Sequence, residues 1–277
     1  MPELPETETI ARDLDAEVAG RRITDVHVAR PDVLREVSAS ALGDRVRGES
    51  IERVWRRAKL VVLDLSSGER IVVQPRFTGA LLIDESSRPL PEEERRYATV
   101  SMSLDDGRTL HYRDVRRLGT LSLMSPQRWA AYSSGLGVEP LDPAFSSEHL
   151  SALFRESRRA VKVVLMDQRA VVGVGNIYAN EALWRAGVDP SREARTLDDG
   201  EVARVHDGIV SVLEESIALR GTSFRDYRDA RGEKGGFVER LAAYGRAGLP
   251  CPRCDARLVG THEIDGRSTV FCAWCQR

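Results

Sequence analysis

Lysine is nearly missing from this chain. Of its 41 basic residues only Lys59, Lys162 and Lys234 are lysines. Arginine serves wherever charge alone is wanted, so each lysine marks a place that can use a titratable amine or a compact ammonium. There is no apolar run of eighteen residues and no charged-then-apolar leader, so nothing marks the chain for the membrane or for secretion and the cytoplasm is the expected location. Internal repeats and low-complexity tracts are missing too. Cysteine does not occur before position 251. A net charge of −2 carries no overall signature of a nucleic-acid binder, so any such role must come from how charge is distributed.

With 277 residues, 42% hydrophobic and 30% charged, the chain is long enough for two domains with separate cores. From Ala218 to Arg277 eleven basic residues face seven acidic ones, and basic groups recur at Arg53/Arg56/Arg57/Lys59, Arg113/Arg116/Arg117 and Arg158/Arg159/Lys162. Such groups line basic clefts, and they also form on ordinary solvated faces.

Residues 5 to 19 read as an amphipathic helix, with Ile10, Leu14 and Val18 at four-residue spacing and Gly20 placed to end it. From about Arg22 to Met124 short β-branched runs take over, among them 23 to 28, 60 to 65, 70 to 73 and 99 to 104. Turn residues such as Ser66-Ser67-Gly68 and Asp105-Asp106-Gly107 separate them, the pattern of a β-sandwich or barrel. Residues 84 to 96 read as a surface loop. Beyond Pro126 the spacing is helical, around 147 to 156, 160 to 167, 176 to 187, 198 to 219 and 237 to 243. The fold class expected is α+β. Its parts are an N-terminal β-sandwich domain with an N-terminal helix (1–125), a helical domain (126–236) and a cysteine-bearing tail (237–277).

Three stretches carry chemistry. Removing Met1 would leave Pro2 as the N-terminus with Glu3 beside it. A terminal proline is a secondary amine, and α-amino groups titrate about two units below lysine, so part of it is an unprotonated nucleophile at neutral pH. Its attack on an aldehyde-like carbon gives a cationic iminium directly, and Glu3 can move protons on the adduct. A retained Met1 would acylate that nitrogen and abolish the chemistry. The cysteines fall as Cys251-x2-Cys254 and Cys272-x2-Cys275 with seventeen residues between, the spacing of two knuckles closing one tetrahedral, structural zinc site. A hairpin between the knuckles presents Arg267 at its turn. Gly173-Val174-Gly175-Asn176 reads as flexible backbone with an N-capping asparagine at a helix start, where amides bind anions.

Taken in order, Pro-Glu-Leu-Pro-Glu, Arg56-Arg57-Ala58-Lys59, Leu165-Met166-Asp167-Gln168, Val172 to Ala179, Tyr244-Gly245-Arg246 and the four-cysteine tail resemble the bacterial formamidopyrimidine-DNA glycosylases over essentially the whole chain. The resemblance implies a bifunctional enzyme of base excision repair that excises oxidised purines and cuts the strand by β,δ-elimination. It also implies a helix-two-turns-helix in the helical domain and a zinc finger at the end. Pro2 matches the nucleophile and Glu3 the general acid that opens the sugar. Lys59 matches the hairpin lysine beside the lesion phosphate. Asn176 and Arg267 match phosphate binders flanking a flipped nucleotide, whose extrusion costs a few kcal/mol. Lys162, Tyr244 and Arg246 are expected DNA contacts as well. The implied partner is double-stranded DNA containing oxidised bases or abasic sites, held between the domains. The implied state is a monomer with one Zn2+.

The segment Gly221 to Tyr227, continuing to Phe237, is similar to the family loop that closes over 8-oxoguanine. The family fills the vacated duplex space with a methionine, an arginine and a phenylalanine; here Phe77, Arg117 and Leu118 stand at those positions, which leaves the opposite-base preference open. Endonuclease VIII-like enzymes acting on oxidised pyrimidines, a silent damaged-DNA binder and a zinc-ribbon interaction module are the alternatives. Intact Pro2, Glu3 and Lys59 argue against the silent binder, and Asn176 and Arg267 in family motifs are unexplained by an interaction module.

Overall fold

The computed structural model describes residues 2–223, 230 and 232–277. Its chain contacts divide it into two units, residues 1–134 with 219–236, and residues 135–218 with 237–277. The cuts differ from the three sequence segments in that residues 219–236 group with the first unit and the tail from 237 groups with the helices.

The first unit begins with α1 (Leu4–Val18), β1 (Ile23–Val28), β2 (Leu34–Arg35), α2 (Ala39–Val46), β3 (Ile51–Arg57), β4 (Leu60–Leu65), β5 (Arg70–Gln74) and β6 (Gly79–Asp84). It continues with α3 (Glu92–Arg95), β7 (Ala98–Leu104), β8 (Thr109–Asp114), β9 (Thr120–Met124) and α4 (Pro126–Ser133). Two sheets form, ordered β1-β7-β8-β6 and β2-β9-β5-β4-β3, antiparallel except for the β2–β9 pair. Alternate residues of β7 and β8, among them Val100, Met102, Leu110 and Tyr112, face a shared core with Val61, Leu63, Ile71, Val73 and Leu121 of the other sheet. Ile10, Leu14 and Val18 of α1 are fully buried in that core, which fulfils the expected helix stripe. The surface segment at 84–96 contains one helical turn, α3.

The second unit holds α5 (Ser147–Phe154), α6 (Val161–Leu165), α7 (Asn176–Ala186), α8 (Asp199–Ala218) and the hairpin β10 (Val259–Thr261) with β11 (Thr269–Phe271). The expected helix at 237–243 is only one 3-10 turn, Phe237–Arg240. The chain breaks there because the amides of Ala242, Ala243 and Tyr244 are claimed from outside by the Glu181 carboxylate.

Candidate active site

Pro2 is buried immediately before α1, and Glu3, at the helix N-cap, is 2% exposed. Both faces of residue 3 are held. Its amide donates to Glu6 Oε2 at 2.8 Å, and its carbonyl accepts from the Thr7 hydroxyl at 2.8 Å. These bonds hold the backbone of residue 3 at the start of the helix. Glu6 stands out in the sequence only as part of the opening motif, although a glutamate three residues after the cap is the capping-box spacing. Its other oxygen, Oε1, accepts the Thr222 amide at 2.7 Å. One buried carboxylate thus joins the helix start to the segment that follows α8.

That segment is a narrow neck. Gly221 sits at φ +84, where a Cβ would lie 2.9 Å from Glu6, and Arg220 pairs with Asp13 at 2.5 Å. The Gly235 amide donates to Ser223 Oγ at 2.9 Å across it. Phe224 to Tyr227, expected to meet a damaged base, lie outside the described residues.

Lys59 occupies the β3–β4 turn. Arg57 pairs with Leu60, leaving Ala58 and Lys59 as a two-residue loop in which Ala58 takes φ 55. Arg56, whose side chain is 9% exposed, donates to Glu8 of α1 at 2.7 Å and to the Ala58 carbonyl at 3.2 Å. The lysine turn is thereby fastened to the helix that Pro2 precedes. Burial opposes ionisation of Glu8, but the Arg56 guanidinium, helped by Arg12, holds its carboxyl below the usual range.

Phe77 and Leu118 are 46% and 42% exposed, so neither belongs to the core. They ride on the β5–β6 and β8–β9 connections, which meet around the buried Asp114. Arg116 lies over the Phe77 ring at 5.3 Å, and Arg117, at φ 52, pairs with Asp32 at 2.8 Å.

In the second unit the sequence motifs converge on the β10–β11 hairpin. The capping residue of α7 is Gly175, and Asn176 is the first helical residue. Its side chain is therefore no N-cap, and Nδ2 donates instead to the Ser268 carbonyl at 2.9 Å. Asn180, one turn on, accepts the Val270 amide at 2.7 Å. Arg267 is exposed at the turn, with its amide held by Asp265 at 3.0 Å. Lys162 departs from its expected role. Its side chain is 0% exposed and its ammonium meets Thr269 Oγ1 at 2.7 Å and Asp265 at 3.3 Å, so it braces the hairpin from inside and offers DNA no surface.

Gln168 staples the turn before α7, accepting the Gly173 amide and donating to the Val174 carbonyl, each at 2.9 Å. Glu181, which no sequence motif singles out, accepts the amides of Ala242, Ala243 and Tyr244 at 2.7–2.9 Å. Burial pushes its carboxyl up against the three amides that favour the charged form. Tyr244 is thus held at its backbone, and half-buried Arg246 leans on the Pro250 carbonyl at 3.4 Å. The four cysteine thiols lie within 4.8 Å of one another, an arrangement that can hold a metal ion.

Residues 1–121 match the formamidopyrimidine-DNA glycosylase N-terminal domain, and residues 136–228 match the H2TH domain of the same enzymes. Curated formamidopyrimidine-DNA glycosylases are similar over the full chain. That of Desulforamulus reducens is 39% identical, covering 100% of this chain and 99% of the relative; that of Heliobacterium modesticaldum is 41% identical, covering 100% of both. Among solved structures, the MutM (Fpg) protein from Thermus thermophilus is 36% identical with a TM-score of 0.86, covering 99% of this chain and 98% of that one. A Lactococcus lactis Fpg mutant in complex with DNA containing Fapy-dG is 29% identical with a TM-score of 0.90 over 100% of both chains. Agreement this extensive, at both domains and across the whole length, places the chain in the formamidopyrimidine-DNA glycosylase family.

Proposed function

We propose that Pro2, once Met1 is removed, is the nucleophile of this enzyme and Glu3 its general acid. The chain is a DNA glycosylase of base excision repair, with the abasic-site lyase activity of its family. In the reaction the proline nitrogen attacks the sugar C1′, the bond to the damaged purine breaks and the base leaves with a proton. Glu3 protonates the ring oxygen, the sugar opens to an iminium, and loss of a C2′ proton expels the 3′ phosphate before a second elimination expels the 5′ phosphate. The observation that carries this reading is the buried Pro2–Glu3 pair, held at both faces of residue 3 ahead of a helix.

Lys59 is assigned to the lesion phosphate, Asn176 and Arg267 to the backbone on either side, and Phe77, Arg117 and Leu118 to the space the flipped nucleotide leaves. Tyr244 and Arg246 extend the DNA surface. The partner is duplex DNA with oxidised purines or abasic sites, met by a monomeric cytoplasmic protein in a bacterial cell. The metal is one Zn2+ on Cys251, Cys254, Cys272 and Cys275. Zinc–sulfur bonds of about 2.3 Å put tetrahedral sulfurs about 3.8 Å apart, and here the Cys254 and Cys272 sulfurs are 3.5 Å apart. All four ligands come from the protein, so the ion's contribution is to fix the hairpin that carries Arg267.

Borohydride trapping on duplexes carrying 8-oxoguanine or an oxidised pyrimidine tests the assignment. The expected result is a covalent adduct on 8-oxoguanine that both Pro2→Gly and Glu3→Gln weaken. Preferential trapping on the pyrimidine would move the substrate to the endonuclease VIII-like class, and tight binding without an adduct would refute the catalytic assignment.

A further inference from the structure

The two connections that carry Phe77 and Leu118 are linked by the Arg116 guanidinium over the Phe77 ring and by a set of hydrogen bonds. They are joined through one buried carboxylate. Asp114, the last residue of β8, is 1% exposed. Its Oδ1 accepts the Thr78 hydroxyl, and also the Arg116 amide at 3.2 Å, and its Oδ2 accepts the Gly119 amide at 2.8 Å. Thr78 Oγ1 takes the Arg116 amide as well, at 2.9 Å, and Arg113 donates to the Thr78 carbonyl at 2.9 Å. Thr78 adjoins Phe77; Arg116 and Gly119 bracket Arg117 and Leu118. A Cβ on Gly119 would lie 2.1 Å from the Tyr112 hydroxyl and 2.6 Å from the Gln74 carbonyl, so the second connection is pressed onto the first with no room between.

Arg76 and Arg117 stand at φ 53 and φ 52, the left-handed region that non-glycine residues avoid, and each neighbours an exposed apolar side chain. A buried carboxyl group that accepts three donors from two segments is a directional fastening. Phe77 and Leu118 are the two side chains whose separation and tilt it sets.

We propose that Asp114 is the positioning residue for the duplex-filling wedge, acting through Thr78 and Gly119, so that it governs extrusion of a paired base and discrimination of the base opposite. This rests on the assignment of Phe77, Arg117 and Leu118 to the vacated duplex space. A loosened wedge slows the step in which a stacked base must leave, whereas an abasic site has no base to extrude.

The test compares single-turnover excision of 8-oxoguanine opposite cytosine with cleavage at a preformed abasic site, for the full chain and for Asp114→Asn and Thr78→Val. Both changes preserve volume while removing fastening bonds, and Thr78→Val carries the test if Asp114→Asn fails to fold. Excision should fall about tenfold or more while abasic-site cleavage stays within about threefold of the parent, and the ratio of rates opposite cytosine and opposite adenine should move toward one. Equal losses on both substrates would reduce Asp114 to general stability and overturn the proposal, as would unchanged excision. A parent that forms no borohydride-trapped adduct on either substrate would overturn the glycosylase reading itself, and the positioning role with it.

Discussion

Replacing Glu6 by glutamine tests the joint between the helix start and the neck beyond α8. Glu6 is 1% exposed, and each oxygen accepts a backbone amide, Glu3 at 2.8 Å and Thr222 at 2.7 Å. Glutamine keeps the size but has a single acceptor oxygen, so one amide must face an NH2 group. Losing one charge-assisted bond and leaving a buried donor unsatisfied costs about 2–3 kcal/mol. Glu6→Ala loses both bonds and leaves a cavity, for about 4 kcal/mol. Guanidinium unfolding at 25 °C should rank parent, glutamine and alanine in that order. The neighbouring glycine gives an independent check. Gly221→Ala meets the left-handed φ penalty of about 1–2 kcal/mol and in addition a contact with Glu6 Cγ, which lies 2.9 Å from the added Cβ. Only the contact is relieved when Glu6 is already alanine, so the double variant should be more stable than the sum of the singles by about 1 kcal/mol or more. Glu6→Gln within about 0.5 kcal/mol of the parent, or additivity within the same margin, would refute the joint.

Asp167 should make acid stability depend on two arginines. Burial opposes its ionisation, but the Arg159 guanidinium at 2.9 Å and the Arg169 amide and side chain hold its carboxyl at about 2. Its folded value lies below its unfolded one, so the stabilisation is complete above pH about 4 and is lost as pH falls from there through about 2. The arginines are 50% and 82% exposed, which discounts the contribution to about 1 kcal/mol. Asp167→Asn should trail the parent by that amount at pH 6 and rejoin it near pH 2; a gap that persists at low pH would assign the loss to something other than charge. For the metal, native mass spectrometry should find one zinc per chain, absent in Cys272→Ser, and the chelated, denatured parent should titrate four thiols. Two disulfides would refute the zinc assignment.

What is legible in the sequence is whatever depends on spacing along the chain. The α1 stripe of Ile10, Leu14 and Val18, the strands at 23–28 and 60–65, and the two cysteine knuckles all follow from local periodicity or from fixed ligand separations, which survive in one dimension. The residues it misjudges are those whose role is set by a partner distant in sequence. Lys162 reads as a surface cation because a lysine is normally solvated, and only Asp265 and Thr269, more than a hundred residues on, turn it into an internal brace. Asn176 has the chemistry of a helix cap, yet the Ser268 carbonyl, 92 residues away, is what its amide meets. Glu181 sits on a helix among buried neighbours, and nothing local distinguishes a glutamate that accepts three amides from one facing water. The same reason separates Pro2 and Glu3 from Asp114. The first two carry their chemistry in their own structure and adjacency, so a motif is enough to find them. Asp114 has a role only because β6 and β8 pair at Gly79 and Asp114 and bring two connections onto one carboxylate, a fact of register that no single stretch of sequence contains.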